Sequence, residues 1–192
     1  MKNFLQIAGG LDVMPLLLSV QRQPELWNEY KIRREEGDDI LLRYNEFNEG
    51  DNWDEKVAGS IDVENYPAWA LVPQARPIVL GTFQRVEGLR LGRVFLLRVN
   101  SGDEIAPSGP TDVESKTPPH LYYKRYLVSL SGNKDSEVQC GGESVNMVPG
   151  SLWWVDQRLP TGFVAGVTHD QIVLSIEVNH GDSIFAPSSV PR

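Results

Sequence analysis

Sulfur and imidazole are scarce in this chain: one cysteine, Cys140, three histidines and three methionines. A single thiol excludes an internal disulfide framework and every multi-cysteine metal site. Inside an apparent strand, a lone cysteine behaves as a small buried hydrophobe. The histidines, His120, His169 and His180, show no ligand spacing such as His-x-Asp or His-x-x-x-His. Apolar runs long enough to span a bilayer are missing, as are a Gly-rich phosphate loop, a nucleophile elbow and a Ser/His/Asp order. Met1 to Leu5 lacks the apolar core and cleavage site of a secretory signal, so a cytoplasmic location is expected. Basic residues are outnumbered, 18 Lys and Arg against 26 Asp and Glu, for a net charge of −8. That balance argues against nucleic acid and anionic membrane as partners. The one dense positive patch, Lys31 to Arg34, is followed at once by Glu35 and Glu36.

What is present points to strands. The stretch Glu143 to Asp156 carries the organising pattern. Val145 and Met147 alternate with polar neighbours, Pro149-Gly150 makes a turn, and Leu152-Trp153-Trp154-Val155 forms an aromatic-rich strand. A turn of this kind folds a small barrel or jelly roll back across its own cavity. Further strands are expected over Phe4–Ala8, Asp39–Tyr44, Leu89–Val99, Leu121–Leu130 and Ser136–Cys140, with a Gly141-Gly142 hairpin turn. Gln171–Val178 is expected to close the sheet. Helices are expected over Val13–Gln23, capped by Asp12, and over Ala75–Glu87, with a helical turn at Pro24–Trp27. Ile105–Pro119 reads as a proline-rich loop and Glu46–Asn65 as a long acidic one. Val145, Met147, Leu152, Val155, Val173 and Ile176 are expected to point into one shared core.

At 192 residues the chain is expected to form a single domain. Its class is α+β: a double-stranded β-helix (cupin-like jelly roll) with N-terminal helices packed on the sheet. Residues 1–88 form the mixed helix and strand part, 89–178 the jelly-roll core, and 179–192 a surface tail.

The succession Arg93–Ile105, Tyr122–Leu130, Val138–Glu143, Met147–Asp156 and Gln171–Val178 resembles the aspartyl/asparaginyl β-hydroxylase family over about Leu91 to Val178. The resemblance implies a jelly-roll dioxygenase using Fe(II) and 2-oxoglutarate. The family's first iron histidine falls at Pro107 or Ser108 here, and its second at Thr161. Two arginines that hold the cosubstrate carboxylate correspond to Gln139 and Gln171 here, while Arg125 is kept. Iron needs imidazole or carboxylate donors in a facial arrangement, and a cosubstrate carboxylate favours a bidentate guanidinium.

Two functional readings follow. One is a non-catalytic binding protein on a degenerate hydroxylase scaffold, with no metal or cofactor. Its cavity would be lined by Arg125, Gln139, Trp154, Thr161 and Gln171, and its partner would be a small carboxylate or a protein or peptide. The alternative is an active Fe(II)/2-oxoglutarate hydroxylase with relocated ligands, drawn from His120, Asp112 or Glu114. A metal-free cupin-like enzyme is a third, for which the sequence offers no acid–base pair. Side chains can also simply fill a small barrel, leaving Arg125 paired with Glu177 or Asp156.

Overall fold

A computed structural model describes residues 2–27, 37–44, 63–108 and 123–181. Its strands are β1 (Phe4–Ala8), β2 (Asp38–Tyr44), β3 (Glu64–Asn65), β4 (Arg90–Val99), β5 (Glu104–Ser108), β6 (Tyr123–Ser131), β7 (Glu137–Cys140), β8 (Glu143–Val145), β9 (Leu152–Val155), β10 (Thr161–Val164) and β11 (Gln171–Asn179). From β4 onward the pairing is nested: β4 with β11, β5 with β10, β6 with β9, and β7 with β8, all antiparallel. Such nesting is a long hairpin rolled up on itself, the double-stranded β-helix or jelly roll. Among the described residues it yields a larger sheet ordered β1-β9-β6-β11-β4-β2-β3 and a smaller one ordered β5-β10-β7-β8.

Glycines at two turns allow this rolling. Gly141 and Gly142, at φ +55° and +81°, join Cys140 to Glu143 as a two-residue hairpin turn. Gly150, at φ +80°, carries the chain from β8 in the smaller sheet to β9 in the larger one. It is pinned there by Gly150 N–H donating to Ser129 O (2.8 Å) and Leu11 N–H donating to Gly150 O (2.9 Å). A Cβ at Gly150 would lie 2.7 Å from Leu11 O, so glycine is required twice over.

The helices are α1 (Met14–Gln21), α2 (Ala68–Leu71) and α3 (Ala75–Arg85), with a 3₁₀ turn at Pro24–Leu26. Asp12 does not cap α1. Val13 is the N-cap, its carbonyl takes the Leu17 N–H at 3.0 Å, and Asp12 lies exposed one residue too early to reach the first turn. The helix rests on the larger sheet through Leu16 and Val20, both fully buried.

Three further expectations change. Glu104–Ser108 is a strand and not loop: Ile105 is buried opposite Phe163, and Pro107 is tolerated because β5 is an edge. Gln171–Asn179 does not close a sheet but runs through the middle of the larger one, between β4 and β6, and is buried along eight of its nine positions. Of the expected acidic loop, Glu64–Asn65 pairs with Tyr44 and Arg43 as β3, and 46–62 lie outside the described residues.

The expected shared core is in fact two cores. Val145, Met147, Val155 and Val173 pack between the two sheets, whereas Leu152 and Ile176 pack under the helices. Positions an odd number apart on a strand face opposite ways, so 152 cannot share a face with 155, nor 173 with 176. Leu174 and Leu96 both lie on the helix side. β11 is sandwiched between the two cores, which is why it reads as a nearly continuous apolar run.

Candidate functional site

Cross-strand register lays out the inner face of the larger sheet as successive rows. Arg90, Asn179 and Tyr123 form the outermost row. Glu177, Arg125 and Val155 form the next. Phe95, Ser175, Leu127 and Trp153 follow, then Leu97, Val173 and Ser129. One end of the barrel is therefore polar and charged, and its middle is apolar. A bulge on β4 shapes the charged end: Ile176 pairs with Val94 and Val178 with Leu91, so Gly92 and Arg93 together oppose Glu177. The extra residue re-aims the strand, and Arg93 turns onto the Glu177 carboxylate.

Arg93 Nε and Nη2 donate to Glu177 Oε2 and Oε1 at 2.5 and 2.7 Å, a bidentate pair. Arg125 Nη2 approaches Glu177 Oε1 from the neighbouring strand at 3.5 Å. Tyr44 completes the cage: its hydroxyl accepts from Arg93 Nη1 at 3.4 Å, and its ring lies 5.4 Å from the guanidinium carbon. Glu177 is only 2% exposed. Burial pushes its carboxyl up, but the Arg93 and Arg125 charges and hydrogen bonds together overcome that, leaving it below the ordinary value. Burial likewise opposes the charge on Arg93, and Glu177 and Tyr44 more than offset it, so its pKa is raised.

Tyr123 packs its ring over Gly92, where a Cβ would come within 2.6 Å of the ring. Its phenol is buried, and among the described residues the hydroxyl has no hydrogen-bond partner. Burial raises its pKa, with Arg90, Glu177, Arg43 and Arg93 all close enough to act on it electrostatically.

The residues nominated from the sequence do not converge. Arg125 faces the barrel interior at the charged end. Thr161 is buried at the start of β10, its hydroxyl donating to Leu159 O at 3.3 Å. Gln139 lies between Val138 and Cys140, which are buried in the inter-sheet core, so its side chain faces outward from the smaller sheet. Trp154 packs on the helix side, opposite to Arg125. Gln171 is six residues from Glu177 along β11, roughly 20 Å away, and its amide donates to Glu137 O at 3.4 Å. His120, Asp112 and Glu114 lie outside the described residues. His180 Nε2 sits 3.0 Å from the Tyr126 hydroxyl, and His169 lies in the turn before β11. Asp156 and Glu177 do not pair with each other: Asp156 holds Arg158 through two contacts at 2.7 and 2.6 Å.

One pair of nominated positions does meet. Ser108, one of the two positions (Pro107 or Ser108) where the resemblance sets the first iron histidine, and Thr161, where it sets the second, are direct partners in the β5–β10 ladder. Both offer only neutral hydroxyls. The buried carboxylate at the charged end of the barrel, Glu177, is committed to two guanidiniums. Among the described residues no group of three His, Cys, Asp or Glu is placed to hold a metal ion. This donor set does not fit an Fe(II) centre, which needs imidazole or free carboxylate.

Sequence reasoning missed Arg93 and Tyr44. The available signal was Glu177, the one charge of β11, together with Arg93 inside the apolar stretch of β4, because buried charges are almost always paired.

No family model matches the chain, and no curated protein matches it. Solved structures do. A viral collagen prolyl hydroxylase from Paramecium bursaria Chlorella virus-1, solved with 2-oxoglutarate, aligns over 92% of this chain and 95% of its own, with a TM-score of 0.52 and 11% identity. A 2OG-Fe(II) oxygenase-family oxidoreductase from Burkholderia pseudomallei aligns over 83% and 77%, with a TM-score of 0.51 and 11% identity. At that identity the likeness is one of fold alone: both share the jelly roll of this chain.

Proposed function

We propose that the protein is a non-catalytic binding protein on an aspartyl/asparaginyl hydroxylase-like jelly roll, and that the arginine-lined end of its barrel takes a small carboxylate. The observation that carries this reading is the convergence of Arg93 and Arg125 on one carboxylate, that of Glu177. The chain's own side chain stands where a ligand carboxylate would go. Arg93 holds it in a fork, while Arg125 touches it at 3.5 Å, so an incoming carboxylate competes most readily for Arg125. The hydroxyl pair Ser108 and Thr161 supports the non-catalytic half of the reading, since neither supplies an iron ligand.

Two measurements test it. Protein purified without chelator is analysed for metal, and succinate and 2-oxoglutarate are titrated against tryptophan fluorescence in the parent and in Arg125→Ala. The expected result is no stoichiometric iron and a saturable change in the parent that Arg125→Ala loses. Near-equimolar Fe(II) abolished by His120→Ala would overturn the reading and establish the relocated-ligand hydroxylase. Titrations that stay flat into the millimolar range would leave a barrel filled by its own side chains.

A further inference from the structure

A second recess lies on the helix side of the larger sheet, at the end remote from Glu177. Its floor is the cross-strand row Arg98, Ile172 and Ser131, with Asp38 beyond Arg98. Val20 and Pro24 wall it from above, and His169 and Asp170 border it from the turn before β11. The cavity measures about 210 Å³, below the roughly 300–1,000 Å³ of a drug-sized site. It suits a molecule of amino-acid size.

Two opposite charges are fixed at its rim. Arg98 is held from two directions: Nε donates to Asp38 Oδ2 at 3.0 Å, Nη2 reaches the same oxygen, and the guanidinium lies 4.6 Å from the centre of the buried Trp27 ring. Asp38 takes the Nε and Nη2 side, so among the described residues the Nη1 edge of the fork is open to another acceptor. Asp170 is fixed as well. Its Oδ1 accepts the Ser101 N–H at 2.9 Å, and its backbone carbonyl accepts the Ser131 hydroxyl at 2.9 Å. Among the described residues the second carboxylate oxygen is open to a cation. Apolar Val20, Pro24 and Ile172 complete the lining. A site with one anchored cation, one anchored anion and an aliphatic wall selects a molecule that carries both charges, because a ligand with only one would leave the other group desolvated without a partner.

We propose that this recess binds a free α-amino acid with a small aliphatic side chain, its carboxylate on Arg98, its ammonium on Asp170, and its side chain against Val20, Pro24 and Ile172. The site is separate from the Arg93–Glu177–Arg125 cluster and does not depend on it.

Calorimetric titration of the full chain tests this, using L-valine and its two single-charge analogues, isobutylamine and isovalerate. L-Valine binds saturably, and each analogue binds at least about tenfold more weakly. Asp170→Asn keeps the oxygen that accepts the Ser101 N–H, so the turn stays folded. It weakens L-valine about tenfold and leaves isovalerate unchanged. Arg98→Lys keeps a charge for Asp38 but loses the fork, and weakens both L-valine and isovalerate. Arg125→Ala leaves L-valine binding at its parent value, which separates this site from the barrel end. The proposal is overturned by L-valine heats that do not saturate by roughly 50 mM, by isovalerate binding as tightly as L-valine, or by Asp170→Asn binding L-valine like the parent.

Discussion

Arg93 and Glu177, 84 residues apart in the chain, form a two-point ion pair inside the barrel, at 2.5 and 2.7 Å. The β4 bulge that sets Gly92 and Arg93 against Glu177 creates it. A buried pair of this kind stabilises little relative to a well-packed apolar replacement, but losing one partner strands the other charge.

Glu177→Leu and Arg93→Met should therefore each cost about 3–5 kcal/mol. The double variant Arg93→Met/Glu177→Leu should cost less than the sum of the two, by a coupling energy of roughly 0.5–3 kcal/mol. Urea unfolding of the four proteins measures it, and strictly additive losses would show that the two residues do not act as a pair.

The same carboxyl makes stability depend on acid. Glu177 in the folded protein stands below its unfolded value, which is about 4.3. Its contribution is thus fully present above the unfolded pKa and is lost as pH falls through the lower folded pKa. Melting temperatures of the parent should drop below about pH 4.3, and the drop should be smaller in the Arg93→Met/Glu177→Leu double variant. Identical acid profiles for the two proteins would remove Glu177 from the acid response.

Tyr123→Phe should be nearly neutral, within about 0.5 kcal/mol, or slightly stabilising, because the hydroxyl it removes has no partner among the described residues. Tyr126→Phe, which breaks the 3.0 Å contact with His180, should cost about 1 kcal/mol. Chemical denaturation ranks the two, and a larger loss from Tyr123→Phe would mean that the phenol is satisfied in solution.

Val173→Asp places a charge on the inner face of a central strand, against Leu97 on β4 and Ser129 on β6. With Val173 only 1% exposed, the cost should exceed about 4 kcal/mol and leave little folded protein. Circular dichroism melting of the variant checks it, and a parent-like melt would refute the central position of β11.

Strands and turns were legible because their causes are local. Alternation marked β8, an aromatic-rich run marked β9, the Gly141-Gly142 pair marked a hairpin, and Pro149-Gly150 marked the turn at the crossing from one sheet to the other. The jelly roll was legible from their order. β5 was not, because two prolines in and after it hid a strand that exists only by pairing with β10.

The sequence alone determined most of the strands, β3 and β5 excepted, and that none of Pro107, Ser108 and Thr161 is a histidine. Only the tertiary structure decided which side of each strand is inside. It brought Ser108 opposite Thr161, turned Gln139 outward, put Trp154 under the helices and moved Gln171 to the far end of β11. The reason is physical: a strand's side-chain period is two, so one bulged residue reverses every assignment beyond it. The bulge at Gly92–Arg93 is fixed by contacts with Tyr123 and Glu177, which lie more than 30 residues further along the chain.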